Sequence, residues 1–299
     1  MQLTILQASE YAFDILKSTS TLIVHSVYRK AVNLKAGNQL LTLQPRGSIL
    51  SPISLITDCT EEELAKLPFT AGKTMSVPLN TEHTSCQNLF LPVRTLYSHV
   101  FPENLHKKIR QAIAMAENSD LPPHMRGVEL LLNQPNLVGE SLYMNAIQKI
   151  LQEFHEIIGD SAKMTDTLCQ LIGLGIGLTP SGDDFLCGFL AGLRISSSVP
   201  SLILTAESDS FRQILEKKIC SNLDRTNEIS AAFLHCAALG QFSAPVHLLL
   251  NSELTAEQIY QAFSGIGHSS GIDTLCGIYA AFLNAANQMP DSHSNLLSN

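Results

Sequence analysis

The sequence predicts an α+β fold: an N-terminal β-rich unit, sandwich or barrel-like, followed by a larger and mostly helical unit. Three observations carry that prediction. The first hundred residues hold short β-branched runs separated by turn signals, the chain after Phe101-Pro102 has helical periodicity, and a glycine-rich turn feeding a helix occurs twice.

The predicted strands are Thr21–Tyr28, Lys30–Lys35 and Gln39–Gln44, the last two parted by Lys35-Ala-Gly-Asn38, then Ile53–Thr57, Met75–Leu79 and Asn88–Val93. A helix over Ser9–Lys17 precedes them. Later helices are expected at Glu103–Glu117, Arg126–Leu132, Glu140–Gly159, Thr165–Ile172, Ser181–Ser196, Asp209–Leu223, Glu228–Leu239, Ala244–Asn251, Ala256–Phe263 and Gly271–Asn287, with a break at Leu121-Pro-Pro123. The expected domains are therefore 1–100 and 101–290, and 291–299 reads as a flexible polar tail.

Hydrophobic residues make up 45% of the 299 and charged residues 15%, enough to build a substantial core. A net charge of -8 argues against nucleic acid or an anionic membrane as partner. The seven cysteines are scattered without a CxxC pair, which fits free thiols in a reducing cytoplasm. The N-terminus lacks the pattern of a secretory signal. The most apolar stretch, Leu171–Leu193, carries Pro180, Asp183 and Asp184, and each aspartate costs about 2.5–3.5 kcal/mol at a bilayer centre. It reads as a buried helix.

The informative feature is the repeat. Ser181-Gly-Asp-Asp-Phe-Leu-Cys-Gly188 and Ser270-Gly-Ile-Asp-Thr-Leu-Cys-Gly277 share Ser-Gly-x-Asp-x-Leu-Cys-Gly, each after a Gly-Ile-Gly, at 175–177 and 265–267. Glycines permit positive φ and close approach. A serine at a helix start caps it, and the free first-turn N–H groups with their half-positive charge suit an anion. On this reading Gly175, Gly177, Thr179, Ser181, Gly182, Ser270, Gly271 and Asp273 line a binding site, and Asp183, Asp184 and His268 are candidates for catalysis. The competing reading stays open: Ser181-x-x-Asp184 and Ser270-x-x-Asp273 also fit capping boxes that merely start two buried helices.

Asp183 and Asp184 oppose an anion unless something positive intervenes. Magnesium on Asp183 is one solution, no other cofactor being indicated, and an arginine is the other, with Arg46, Arg94 and Arg225 as candidates near turns. Asp224-Arg225-Thr226-Asn227, itself a capped helix start, is a further candidate for the same cleft. P-loop, dinucleotide, GxSxG and HExxH patterns are absent.

The run Gly-Leu-Gly-Ile-Gly-Leu-Thr-Pro-Ser-Gly-Asp-Asp-Phe-Leu at 173–186 resembles the signature of the AllH-like (YlbF-like) bacterial family, and the resemblance extends over most of the chain. It implies a subunit of oxamate carbamoyltransferase, interconverting oxalurate and carbamoyl phosphate in anaerobic allantoin use beside FdrA-like and AllG-like partners. The Ser-x-Arg-Thr-Arg phosphate loop of ornithine- and aspartate-type carbamoyltransferases does not occur here. A non-catalytic assembly subunit and a magnesium-dependent enzyme on a small phosphate ester remain the alternatives.

Overall fold

The computed structural model of the chain describes residues 2–93, 104–117, 142–157, 159–196, 206–251 and 253–287. Arg94, Phe101-Pro102, the helix expected at 126–132 with its preceding break, and the tail 291–299 lie outside them. The class is α+β, with a mixed sheet first and helices after it. The chain divides into two compact units, Met1–Phe90 with Gln241–Ala244, and Leu91–Gly240 with Pro245–Asn299.

In the first unit the strands are β1 (Leu3–Ser9), β2 (Ile23–Tyr28), β3 (Ala31–Ala36), β4 (Gln39–Gln44), β5 (Ser54–Thr57), β6 (Leu79–Asn80) and β7 (Ser85–Gln87). They form one sheet in the order β2-β3-β4-β5-β1-β6, with β7 also on β1. β2 to β4 are an antiparallel meander whose second turn uses Gly37 at φ 63°. β4 and β5 run parallel, and β1 is antiparallel to β5 and parallel to β6 and β7. Between residues 88 and 93 only an isolated bridge, Phe90 to Gln241, is formed.

Helix α1 (Glu10–Ser18) starts where the Ser9 hydroxyl accepts the Ala12 N–H, and its apolar stripe joins Leu3, Ile5, Leu34, Leu41, Leu43 and Leu55 in the core. A short helix α2 (Glu61–Ala65) opens with a reciprocal Thr60–Glu63 capping box.

Among the described residues the second unit contains α3 (Leu105–Glu117), α4 (Leu142–Glu156), α5 (Ser161–Leu168), α6 (Ser181–Ser196), α7 (Ala206–Cys220), α8 (Glu228–Ala238), α9 (Ala244–Leu248, from Pro245 onward), α10 (Ala256–Ser264) and α11 (Ser270–Asn287). α6 is buried along its whole length apart from the half-buried Cys187; its middle, Phe185–Leu193, carries no charged residue, and its charged groups, Asp183, Asp184 and Arg194, lie toward its two ends. Phe154 and Phe211 meet its Phe189 edge-on, at centroid distances of 5.6 and 6.4 Å. Arg194 near its end is buried, and donates to Glu216 at 2.6 Å and to the Leu91 and Ala238 carbonyls. Arg212 also holds Glu216, so two guanidinium groups share one carboxylate. Among the described residues no helix is long and apolar enough to cross a membrane.

Candidate functional site: the paired helix starts

α6 and α11, the two helices of the repeat, pack along each other, and their glycines explain how closely. A Cβ on Gly188 would overlap the carbonyl oxygen of Thr274. One on Gly277 would overlap that of Phe185. Gly188 and Gly277 occupy the same place in the two motifs, as do Phe185 and Thr274, so the contact is reciprocal.

The turns repeat one backbone device. The Leu174 N–H bonds to the Leu171 carbonyl and the Gly182 N–H to the Leu174 carbonyl; correspondingly, Ile266 bonds to Phe263 and Gly271 to Ile266. At the helix starts Asp184 N–H donates to the Pro180 carbonyl at 3.1 Å and Asp273 N–H to the Ser269 carbonyl at 2.9 Å. The amides of Gly182 and Gly271, expected to face a ligand, are therefore engaged inside the protein. Nor does Asp184 form the reciprocal capping box that its spacing from Ser181 allowed, because its N–H is bonded to Pro180.

The first turn is longer by three residues, and the extra length is its tip. Gly175 and Gly177 have φ of 137° and 93°, both in the region that favours glycine. Gly175 lies against the Ser181 backbone nitrogen, whereas Gly177 faces open space. Ile176 and Leu178 are exposed, at 58% and 46%. Among the described residues, no hydrogen bond is made by the N–H groups of Gly175, Ile176, Gly177, Leu178, Thr179 or Ser181.

The two consecutive aspartates do different work. Asp183, 1% exposed, accepts from the Gly173 N–H at 2.8 Å, the Thr226 hydroxyl at 2.5 Å and the Ser230 hydroxyl at 2.7 Å. Burial pushes its carboxyl up, while those hydrogen bonds and the nearby Arg225 charge oppose the shift. It ties the glycine turn, α6 and the start of α8 together. Both its oxygens are used by the protein, which leaves little for the magnesium expected there.

Asp184 points toward the second repeat instead. The hydroxyls of Ser270 and Thr179 hydrogen-bond to its carboxyl, and they meet each other at 2.8 Å. Burial raises its pKa well above the ordinary carboxylate value, and the equivalent buried acid, Asp273, raises it further. Its Oδ2 is buried without a hydrogen-bond partner.

Arg225 is the candidate arginine brought to the turn. Its Nη1 donates to the Cys169 carbonyl at 2.9 Å, its own carbonyl lies against Gly173, and its charge is felt by Asp183. Asn227 caps α8 through the Ile229 and Ser230 N–H groups, so segment 224–227 does adjoin the site. Arg46 belongs to the first unit, where its N–H bonds to the Cys59 carbonyl. Ser181 is buried, and His268 is exposed in the turn before α11. Thr226 and Ser230 were missed as partners of Asp183; the only sequence signal was that segment's place ahead of a capped helix. Among the described residues no three His, Cys, Asp or Glu side chains gather as a metal-binding group.

Comparison with known families decides the assignment. The model described as oxamate carbamoyltransferase subunit AllH matches residues 171–282, and that of the AllH family N-terminal domain matches residues 4–94. The chain belongs to the AllH family. The AllH match covers both glycine turns, the whole of α6, and α11 as far as Phe282, so the paired motif lies within the matched residues. The N-terminal match covers the mixed sheet. No solved structure matches the chain.

Proposed function

We propose that this AllH-family chain is a working subunit of a cytoplasmic carbamoyltransferase that interconverts oxamate and carbamoyl phosphate with oxalurate and phosphate in allantoin breakdown. Its partners are FdrA-like and AllG-like subunits, and its paired turns hold the small anions. In the synthetic direction the oxamate amide nitrogen attacks the carbamoyl carbon and loses a proton. The carbon–oxygen bond to phosphate breaks, and phosphate leaves with the electron pair. The protein must then polarise the carbamoyl oxygen and receive the phosphate charge.

One observation carries this reading: the run of N–H groups from Gly175 to Thr179, with that of Ser181, has no partner among the described residues. Such consecutive amides, at the half-positive start of a buried helix, form a nest for an anion. Arg225 at its edge and the hydroxyls of Thr179 and Ser270 add donors of the kind a carboxylate or phosphate takes. The division of labour between the aspartates also fits, since Asp183 fixes the loop and leaves its amides outward.

A non-catalytic assembly role is the second reading, favoured by the engaged Gly182 and Gly271 amides and by the exposed Ile176 and Leu178. Reconstitution separates the two. A complex of the partner subunits without this chain should form no carbamoyl phosphate from oxalurate and phosphate, and the wild-type chain should restore it. A Gly175→Ala chain that assembles normally should fail to restore activity; full restoration would leave only the assembly role.

A further inference from the structure

Carbamoyl transfer moves a proton as well as a carbamoyl group. When hydrogen phosphate opens oxalurate, a phosphate oxygen bonds to the carbamoyl carbon and gives up its hydrogen. The bond from that carbon to the amide nitrogen breaks, and the nitrogen keeps the electron pair and takes up a hydrogen to leave as oxamate. Asp183 has both oxygens engaged by Gly173, Thr226 and Ser230, and a guanidinium such as Arg225 does not give up its proton. His268 is exposed, and among the described residues no hydrogen bond holds its ring in place.

Three other oxygen groups adjoin the loop. Thr179 Oγ1 and Ser270 Oγ lie 2.8 Å apart, and either can be the donor. Both hydroxyls also hydrogen-bond to the Asp184 carboxyl. Thr179 and Ser270 are half-buried and Asp184 is 7% exposed, so the group runs from the loop into the interior. Three such contacts need three hydrogens, and two hydroxyls bring two. A hydrogen on Asp184 completes the ring, and burial favours that neutral form. The ionisable groups acting on Asp184 are Asp273 on α11 and Asp183 on its own helix, and both oppose its ionisation. The Cys187 thiol, also on α6, is itself held neutral by burial.

We propose that Thr179, Ser270 and Asp184 form a proton relay for carbamoyl transfer, in which Asp184 stores the proton and the two hydroxyls pass it to and from the substrate. This rests on the 175–181 loop being the anion site. As oxalurate is opened, Thr179 gives its hydroxyl hydrogen to the leaving nitrogen, Ser270 replaces it, and Asp184 replaces that of Ser270. The phosphate hydrogen then returns along the same oxygens to Asp184, so the relay ends as it began. In the synthetic direction each step reverses. Thr179 meets the substrate, while Ser270 and Asp184 act through it. The relay draws on both repeats, since Ser270 lies 91 residues beyond Thr179, and capping alone does not require that meeting.

The test uses the complex reconstituted with its partner subunits, supplied with oxalurate and inorganic phosphate. Asp184→Asn and Ser270→Ala should each lower kcat by roughly a hundredfold, and change KM for phosphate and its calorimetric affinity by less than about twofold. Wild-type kcat should fall as pH rises through the elevated Asp184 value, and the Asp184→Asn profile should lack that limb. Ser270→Thr keeps the hydroxyl and should recover most of the activity lost in Ser270→Ala, which carries the test if Asp184→Asn does not fold. Phosphate binding with kcat retained in Ser270→Ala would overturn the relay and leave the anion site standing. A folded, assembled wild-type complex that binds no phosphate would overturn the anion site and the relay with it.

Discussion

Gly188 has no room for a side chain because its Cα faces the carbonyl oxygen of Thr274, and Gly277 stands in the same relation to Phe185. The two halves of the sequence repeat thus grip each other backbone to backbone. Replacing either glycine by alanine removes a helix-interior glycine, which alone favours the helix by about 1 kcal/mol. The overlap with a main-chain oxygen outweighs that gain. Gly188→Ala and Gly277→Ala should each lower the unfolding free energy by roughly 1–3 kcal/mol in urea titration. A neutral or stabilising effect would mean that the helices can separate freely.

The glycine loop offers a contrast within three residues. Both Gly175 and Gly177 have positive φ, but only Gly175 is also crowded, by the Ser181 nitrogen. Gly177→Ala should cost about 1–2 kcal/mol of strain and leave the loop's shape intact. Gly175→Ala should shift the loop and abolish its anion binding. Calorimetry with inorganic phosphate, set beside urea unfolding, checks both; equal effects of the two substitutions would contradict the geometry.

Asp183 is predicted to be structural before it is chemical. Asparagine in its place keeps one acceptor oxygen but turns an amide toward donors from Gly173, Thr226 and Ser230. Leaving buried donors unpaired costs about 1–3 kcal/mol each. Asp183→Asn should therefore melt well below wild type even without substrate. An unchanged melting temperature would contradict that structural role.

Asp184 gives the fold a pH dependence with a definite sign. Its folded pKa lies above the unfolded value, so the native state holds more protons between the two. In chelator, the stabilising contribution is complete below the ordinary carboxylate range and is lost as pH rises through the elevated folded value. Urea unfolding across that window should show wild type losing stability more steeply than Asp184→Asn, with Asp183 supplying part of the remaining slope. A variant that follows the wild-type slope would show that Asp184 is ionised throughout.

The repeat was legible because its residues are contiguous: Ser-Gly-x-Asp-x-Leu-Cys-Gly is read directly, and the reciprocal glycine contacts follow from it. Strands β2 to β5 were legible from β-branched runs and the Lys35-Ala-Gly-Asn38 turn. β1 was not, since Leu3–Ser9 is short and merges without a turn signal into α1, and its place in the sheet depends on pairing with β5, over forty residues away. The roles of the two aspartates were hidden for the same reason. Thr226 and Ser230 reach Asp183 from a separate helix start, and Ser270 reaches Asp184 from the other repeat. Neighbouring carboxylates in sequence carry no mark of which way each will turn.

Direct binding of carbamoyl phosphate tests the anion-site reading most closely. Isothermal calorimetry on the chain, alone and with its partner subunits, should show saturable binding that competes with phosphate, is lost in Gly175→Ala, and weakens in Thr179→Ala and Arg225→Ala. Absence of saturable heat in every combination, from a chain that is folded and assembled, would contradict it.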